Sequence, residues 1–336
     1  VEITHTNIIS YISAIKSVLD IRQNDQYLHT ASFSFSSSVR QYCLPLYSGI
    51  PVYIAKEDQV ASLGKLLKVI KENNLTVFDS TQSLWKYGLK QIERIDPGGL
   101  NALIESGLRL LIFSGEMLPS ELVQKIQYFY SGKLTVVNVY GQTEALGGMA
   151  YPIPTGFVQQ GGTVPIGFPL PNTKAFVLNS NMKQVTDGET GELYLSSPSI
   201  GLGYYKNAEQ TGITFIESRL EGLPDRWLRT GDIVRFRNDK PFEIVGRTDF
   251  QVKIRGIRIN MSEIESVIDE LPYDLARSFA QGHRWAYNLY RSLCGVIMVE
   301  NIVVGYYLGV VRQVVHALHR RGNNIVAAAE NLAPFA

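Results

Sequence analysis

Cysteine is scarce: Cys43 and Cys294 are the two thiols in 336 residues, too few for a disulfide framework and without the paired spacing of a metal site. A reducing, cytoplasmic setting is therefore expected. Charge of one sign is not in excess either, since 32 basic against 31 acidic side chains leave +1. That excludes the footprint of a nucleic-acid binder and any acidic tail. The longest apolar stretch, Cys294 to Val311, is broken by Glu300, Asn301, Gly295 and Gly305 and falls short of a clean spanning helix, so no membrane partner is expected. Val1 to Ile9 carry no signal-peptide pattern and no initiator methionine, which suggests a chain cut from something longer. Without internal repeats, solenoid architectures drop out.

What is present is a 45% apolar composition, enough for a real core and two or three domains. From Tyr27 to about Tyr140, β-rich runs alternate with helical patterns. The predicted strands are Leu28–Ala31, Val52–Ala55, Thr76–Phe78, Arg109–Phe113 and Thr135–Val139. Between them, Leu63–Asn73 and Glu121–Tyr130 read as covering helices. This alternation predicts an α/β fold, a parallel sheet with flanking helices, over residues 1–150. After Tyr151 the turn-rich Asp187-Gly-Glu-Thr-Gly191 separates runs such as Ala175–Leu178 and Glu192–Ser196, which predicts a small β-barrel-like or folded-sheet subdomain over 151–248. A basic strand, Gln251–Ile259, and a helix start at Ser262 open a third, truncated α+β subdomain over 249–272.

Three clusters stand out. Asn138-Val-Tyr-Gly-Gln-Thr-Glu144 follows a predicted parallel strand, where ligand loops gather. Tyr140 could lie against a purine, Thr143 could donate to a phosphate and Glu144 could hold Mg²⁺; by spacing, a turn with a buried tyrosine fits equally well. Arg229-Thr-Gly-Asp232 could present a carboxylate to two ribose hydroxyls, or be a hairpin turn. Gly246 to Ile259 sets four cations at a period near two, as a charged edge strand also would.

In order, these clusters resemble the adenylate-forming superfamily, specifically the adenylation domains of non-ribosomal peptide synthetases. The resemblance runs from Val1 to about Pro272. It includes Ile3-Thr-His-Thr-Asn7, Phe33-Ser-Phe-Ser-Ser-Ser38, Gly115-Glu116, Pro165-Ile-Gly-Phe-Pro169 with Asn172, and Gly191-Glu-Leu with Gly201–Tyr205. It implies attack of a substrate carboxylate on the α-phosphorus of ATP, with Mg²⁺, giving an acyl-adenylate and pyrophosphate. The acyl group then passes to the phosphopantetheine thiol of a carrier protein. Tyr140, with Gly141, would meet adenine, Thr143 the α-phosphate and Glu144 the metal. Asp232 and Arg247 would bind ribose, Asp249 would be a hinge, and Lys253 would serve the thiol-transfer conformation. Gln251-Val-Lys-Ile-Arg-Gly256 is closer to the peptide-synthetase form than to acyl-CoA ligases, which remain an alternative.

Aligned on the same motifs, the acyl pocket would be lined by Ser36, Ser37, Arg40, Ser83, Ile112, Ser114, Val139, Gly147 and Gly148. The family normally carries an Asp for the substrate's α-ammonium where this chain has Ser36, so an acid lacking an α-amino group is expected: hydroxy, keto, aryl or fatty. Arg40 could meet a substrate anion or point to the surface, and Gly147 and Gly148 would leave room for a long or wide acid. The family's phosphate loop and C-terminal lysine are not found, so a fragment inactive by itself is expected. Alternatives are a non-catalytic adenine-nucleotide binding module and one half of a split enzyme. The resemblance stops near Pro272, and residues 273–336 read as an aberrant tail from a frameshift or misjoined gene, or as a lineage-specific extension.

Overall fold

Short runs of β-branched and aromatic residues, buried on both faces, set the framework. The computed structural model describes residues 1–95, 107–130, 133–159, 162–217 and 226–249, and the backbone of 251–254 and 257–260. β1 (Tyr27–His29), β2 (Val52–Ile54), β3 (Val77–Ser80), β4 (Leu110–Ser114) and β5 (Thr135–Tyr140) pair in parallel in the order β2-β1-β3-β4-β5. Two antiparallel strands, β6 (Met149–Ile153) and β7 (Phe168–Pro169), extend the sheet beyond β5. They carry the sheet past Tyr151, so the shift in composition there is not the sheet's edge.

The period of two assigns each strand residue to a face. Phe78, Leu111, Phe113 and Val136 join one core with Trp85, Leu66, Ile70 and Ile126. Their neighbours Val77, Leu110, Ile112, Val137 and Val139 join another with Tyr11, Ile15 and Leu44. Thus α1 (His5–Leu19) and α2 (Ser37–Ser48) cover one face. α4 (Leu63–Glu72), α5 (Gln82–Ile95) and α6 (Ser120–Phe129) cover the other, and α3 (Glu57–Val60) precedes α4. Burial on both faces is what parallel strands with helical crossovers require.

α1 begins with a reciprocal cap: the Asn7 amide donates to Thr4 Oγ1 at 3.1 Å and the Thr4 amide to Asn7 Oδ1 at 2.8 Å, satisfying two terminal donors. The Asn7 side-chain amide also donates to the carbonyls of Pro198 and Ile200, at 2.7 and 2.9 Å. Glu2 pairs with Gly203, and Leu202 N–H donates to the Glu2 carbonyl. The start of the chain is thereby fastened to a segment almost two hundred residues later.

A second, antiparallel sheet is built on the ten-residue β11 (Arg226–Arg235). β9 (Thr190–Ser196) and then β8 (Lys174–Leu178) lie on one side of it. On the other side β10 (Phe215–Glu217), which follows α7 (Ala208–Thr214), pairs with its first half, and β12 (Glu243–Arg247) with its second. Leu193, Leu195, Leu228 and Val234 pack here with Tyr140 and Met149. The chain is therefore mixed α/β, with a mainly parallel sheet, flanking helices and an antiparallel sheet.

Val1–Asp249 forms one compact unit and Phe250–Ala336 a second. In the latter, the single strand expected over Gln251–Ile259 is instead two antiparallel strands, β13 (Gln251–Ile254) and β14 (Ile257–Asn260), with Gln251 opposite Asn260. The helix expected from Ser262 and the tail 273–336 lie outside the described residues. Among the described residues, no helix is long and apolar enough to cross a membrane.

Candidate functional site

Of the sequence-predicted groups, Ser114 ends β4, Tyr140 ends β5 and Ser83 follows β3 on α5. β5 ends at Tyr140, and the chain turns through Gly141, Gln142 and the 3₁₀ turn Thr143–Ala145. It then closes on itself, with Gly148 N–H donating to the Tyr140 carbonyl at 3.0 Å. Gly141 is required: a Cβ there would lie 2.5 Å from Gly147 Cα.

Across from this loop, β11 shifts register between Arg229 and Ile233. Gly231 sits in the left-handed region at φ 73°, a bulge that re-aims the next side chain. That side chain is Asp232. Its Oδ2 accepts from the Tyr140 hydroxyl at 2.5 Å and from Gln142 Nε2 at 3.0 Å, and its Oδ1 accepts from Arg247. Arg247 reaches on to Asp249, with Nε and Nη2 donating to the two carboxylate oxygens at 2.7 and 2.9 Å. Burial and the Asp232 charge hold the Tyr140 phenol well above its usual range, so it stays a donor. Arg247 is likewise raised; burial opposes its charge, but Asp249 and Asp232 outweigh it.

On the other side of the loop, the Thr143 hydroxyl donates to Ser36 Oγ at 3.2 Å. The Glu144 carboxylate is buried and accepts from the Tyr204 hydroxyl at 2.5 Å. A single carboxylate beside a hydroxyl suits Mg²⁺, which takes one or two protein carboxylates and completes its shell with phosphate oxygens and water. Among the described residues no three His, Cys, Asp or Glu side chains form a cage for a metal.

Ser36 and Ser37 open α2, and Arg40 lies one turn further along it. Arg40 is neither surface-pointing nor open to a substrate anion: it is 2% exposed and committed to Asp79. Its Nε and Nη2 donate to the two Asp79 oxygens at 2.7 and 2.9 Å. Nη2 also donates to Ser114 Oγ, and Nη1 to the Tyr11 hydroxyl, each at 2.7 Å. Burial alone would lower the Arg40 pKa, but Asp79 and the tyrosines hold it well above normal. Ile112 and Val139 are buried on this same face. Ser83 is drawn elsewhere, its hydroxyl and backbone amide both bonded to Glu116.

The expected room beside the two glycines is filled. A Cβ at Gly147 would lie 2.4 Å from the Tyr11 ring, and one at Gly148 would lie 2.5 Å from Leu195. Lys253 is on β13, its side chain outside the described residues. The boundary between the two compact units falls immediately after Asp249.

Sequence reasoning missed Asp79, Tyr11, Gln142 and Tyr204. An acid near the end of the strand run Thr76-Val-Phe-Asp-Ser80 was the signal for Asp79; no motif singles out Tyr11.

A sequence profile described as AMP-binding enzyme matches residues 1–205. The dimodular nonribosomal peptide synthase of Bacillus subtilis (strain 168) is 30% identical over 275 residues, 81% of this chain and 11% of that protein. Bacitracin synthase 3 of Bacillus licheniformis is 31% identical over 266 residues, 79% of this chain and 4% of that protein. Among solved structures, IdnL1 superposes with a TM-score of 0.71 and 25% identity, over 80% of this chain and 54% of its own. An artificially fused adenylation–PCP di-domain from Klebsiella oxytoca, NpsA-ThdA, gives 0.67 and 26%, over 80% of this chain and 51% of its own. This chain thus spans about half of those solved chains and a small part of the synthetases.

Proposed function

Because the chain belongs to the family of AMP-binding enzymes, we propose that it is part of an enzyme that activates a carboxylic acid as its adenylate and passes the acyl group to a carrier-protein thiol. A substrate carboxylate oxygen attacks the α-phosphorus of ATP, and the bond to the departing pyrophosphate breaks. Tyr140 and Gly141 line the adenine side, Asp232 and Arg247 take the ribose hydroxyls, and Thr143 donates to the α-phosphate. Glu144 would hold Mg²⁺, which neutralises phosphate charge when bound. Asp249 is the hinge and Lys253 serves thiol transfer. The phosphopantetheine arm belongs to the carrier protein.

The observation that carries this reading is one loop with two outlooks. Tyr140 reaches Asp232 on one side, and three residues later Thr143 touches Ser36 on the other. A nucleotide lying along the loop would therefore have its α-phosphate beside the start of α2, where an acyl group can meet it.

The acid proposed lacks an α-amino group. Ser36 offers a hydroxyl, and the carboxylate of Asp79 is neutralised by Arg40, so neither supplies the free anion that a buried ammonium requires. Phosphate-gripping and closing-lysine motifs are not found in the sequence, so we further propose that the chain binds nucleotide but does not turn over by itself.

Calorimetry with AMP tests the site. Asp232→Asn removes a charged acceptor, a change of about 1.5–3 kcal/mol or roughly 10–150-fold in Kd. Equal AMP affinity in both proteins would sink the ribose assignment. ATP–pyrophosphate exchange at the rate of an intact adenylation enzyme would overturn the inactivity.

A further inference from the structure

We infer that the outer face of α1 and α2 is a docking surface for a second copy of this chain. α2 is built the wrong way round for a surface helix. Towards the sheet it buries Ser38, Arg40, Gln41 and Ser48 alongside Leu44 and Pro45, while Tyr42, Leu46 and Tyr47 stand exposed on its outer side. An apolar stripe that faces away from the core belongs against a further layer. Turning the helix cannot hide that stripe, because polar bonds fix the inward face. Arg40 is paired with Asp79, and Gln41 Oε1 accepts from the backbone amides of Thr30 and Ala31 at 2.8 and 2.9 Å.

The stripe continues on both sides. The Phe33 ring meets that of Tyr42 edge-on, with centroids 6.1 Å apart, and Leu46 lies one turn beyond Tyr42. Lys16 of α1 lies over the Tyr47 ring, its Nζ 5.3 Å from the centroid. That contact joins the outer stripe of α1, with Ile9 and Ser13 exposed, to the stripe of α2. On β2, Ile54 shares a face with Val52, which packs against the core beneath these helices. Phe33, Tyr42, Leu46, Tyr47, Ile9 and Ile54 are 41–67% exposed. At ~200 Å² for a fully exposed large side chain, they present roughly 650 Å². That is beyond the ~300–600 Å² of the largest patch on a typical monomer, and close to the ~800 Å² that each partner gives to a stable interface.

The chemistry of the face matches itself. Neither helix contains an acidic residue; Lys16 is drawn over Tyr47 and Arg40 is buried against Asp79, so little like charge opposes the meeting of two copies. A two-fold contact demands groups that pair with their own kind, and the hydroxyls of Tyr42, Tyr47 and Ser13 both donate and accept. Aromatic enrichment with few charges is also the composition of interface cores. A highly charged partner would find only Lys16 to hold, which favours a second copy over it.

Sedimentation of the full chain tests the assignment. The species expected at micromolar concentration has twice the mass of one chain. Leu46→Glu, which sets two unpaired carboxylates into the contact, should weaken it at least about tenfold in Kd. Ile9→Glu, on α1, should do the same and serves if Leu46→Glu fails to fold. Tyr87→Glu, on α5 across the sheet, should leave the dimer intact. A wild-type chain that stays monomeric at about 100 μM overturns the proposal; the face is then solvated, covered by residues 273–336, or reserved for a different polypeptide. A dimer that survives Leu46→Glu and Ile9→Glu, or that Tyr87→Glu also breaks, places the contact elsewhere and overturns it equally. Open-ended aggregation does so too, because a two-fold contact closes.

Discussion

Taking away Arg40 alone would strand the Asp79 carboxylate, 1% exposed, without its cation. Arg40→Met should therefore cost about 3–5 kcal/mol of stability, whereas Arg40→Leu combined with Asp79→Leu should recover most of that. Urea denaturation of the two variants makes the comparison; equal losses would mean that packing and not charge sets the cost. His29 supplies a pH signature. Its Nε2 is buried without a hydrogen-bond partner, and burial lowers its pKa. The unfolded chain then takes up the proton first, so this contribution to stability is whole above about pH 6.5 and is lost as pH falls toward the lower folded-state value. His29→Leu should flatten the decline in urea midpoint between about pH 7.5 and 5.5; an undiminished decline would assign it to another group. At this scale the short motifs were legible as clusters, and the structure brings two of them together, Tyr140 against Asp232. The sequence was opaque where a side chain's fate depends on a distant partner: nothing local announces that Arg40 meets Asp79, 39 residues on.

The elements were easier to read than their contacts. Each of the five parallel strands was expected within a residue or two of its observed bounds, because strands buried on both faces leave compact β-rich runs between helices. The hairpin of β13 and β14 was missed because one run of alternating cations looks the same whether it continues or doubles back. Helix packing hides a constraint of the same kind. Gly88 on α5 faces Leu63 at the start of α4, and a Cβ there would lie 2.4 Å from that of Leu63. Gly88→Ala, helpful in an isolated helix, should cost about 1–3 kcal/mol here by overpacking. A thermal shift upward would show that the helices part without penalty.

For the whole molecule, a ligand that binds only the folded chain must stabilise it. AMP at a hundred times its Kd should add about 2.7 kcal/mol to the unfolding free energy. The urea midpoint reads this directly, and a midpoint indifferent to AMP would argue against any adenosine site in Val1–Asp249. The fastening of Glu2 and Asn7 to residues 198–203 has a consequence in time. On a ribosome adding about 5–20 residues per second, the first helix emerges roughly 10–40 s before the partner that holds its end has been made. Until then that apolar helix face has only part of its final surroundings, so nascent chains stalled before Ile200 are where chaperone capture and proteolytic nicking should concentrate.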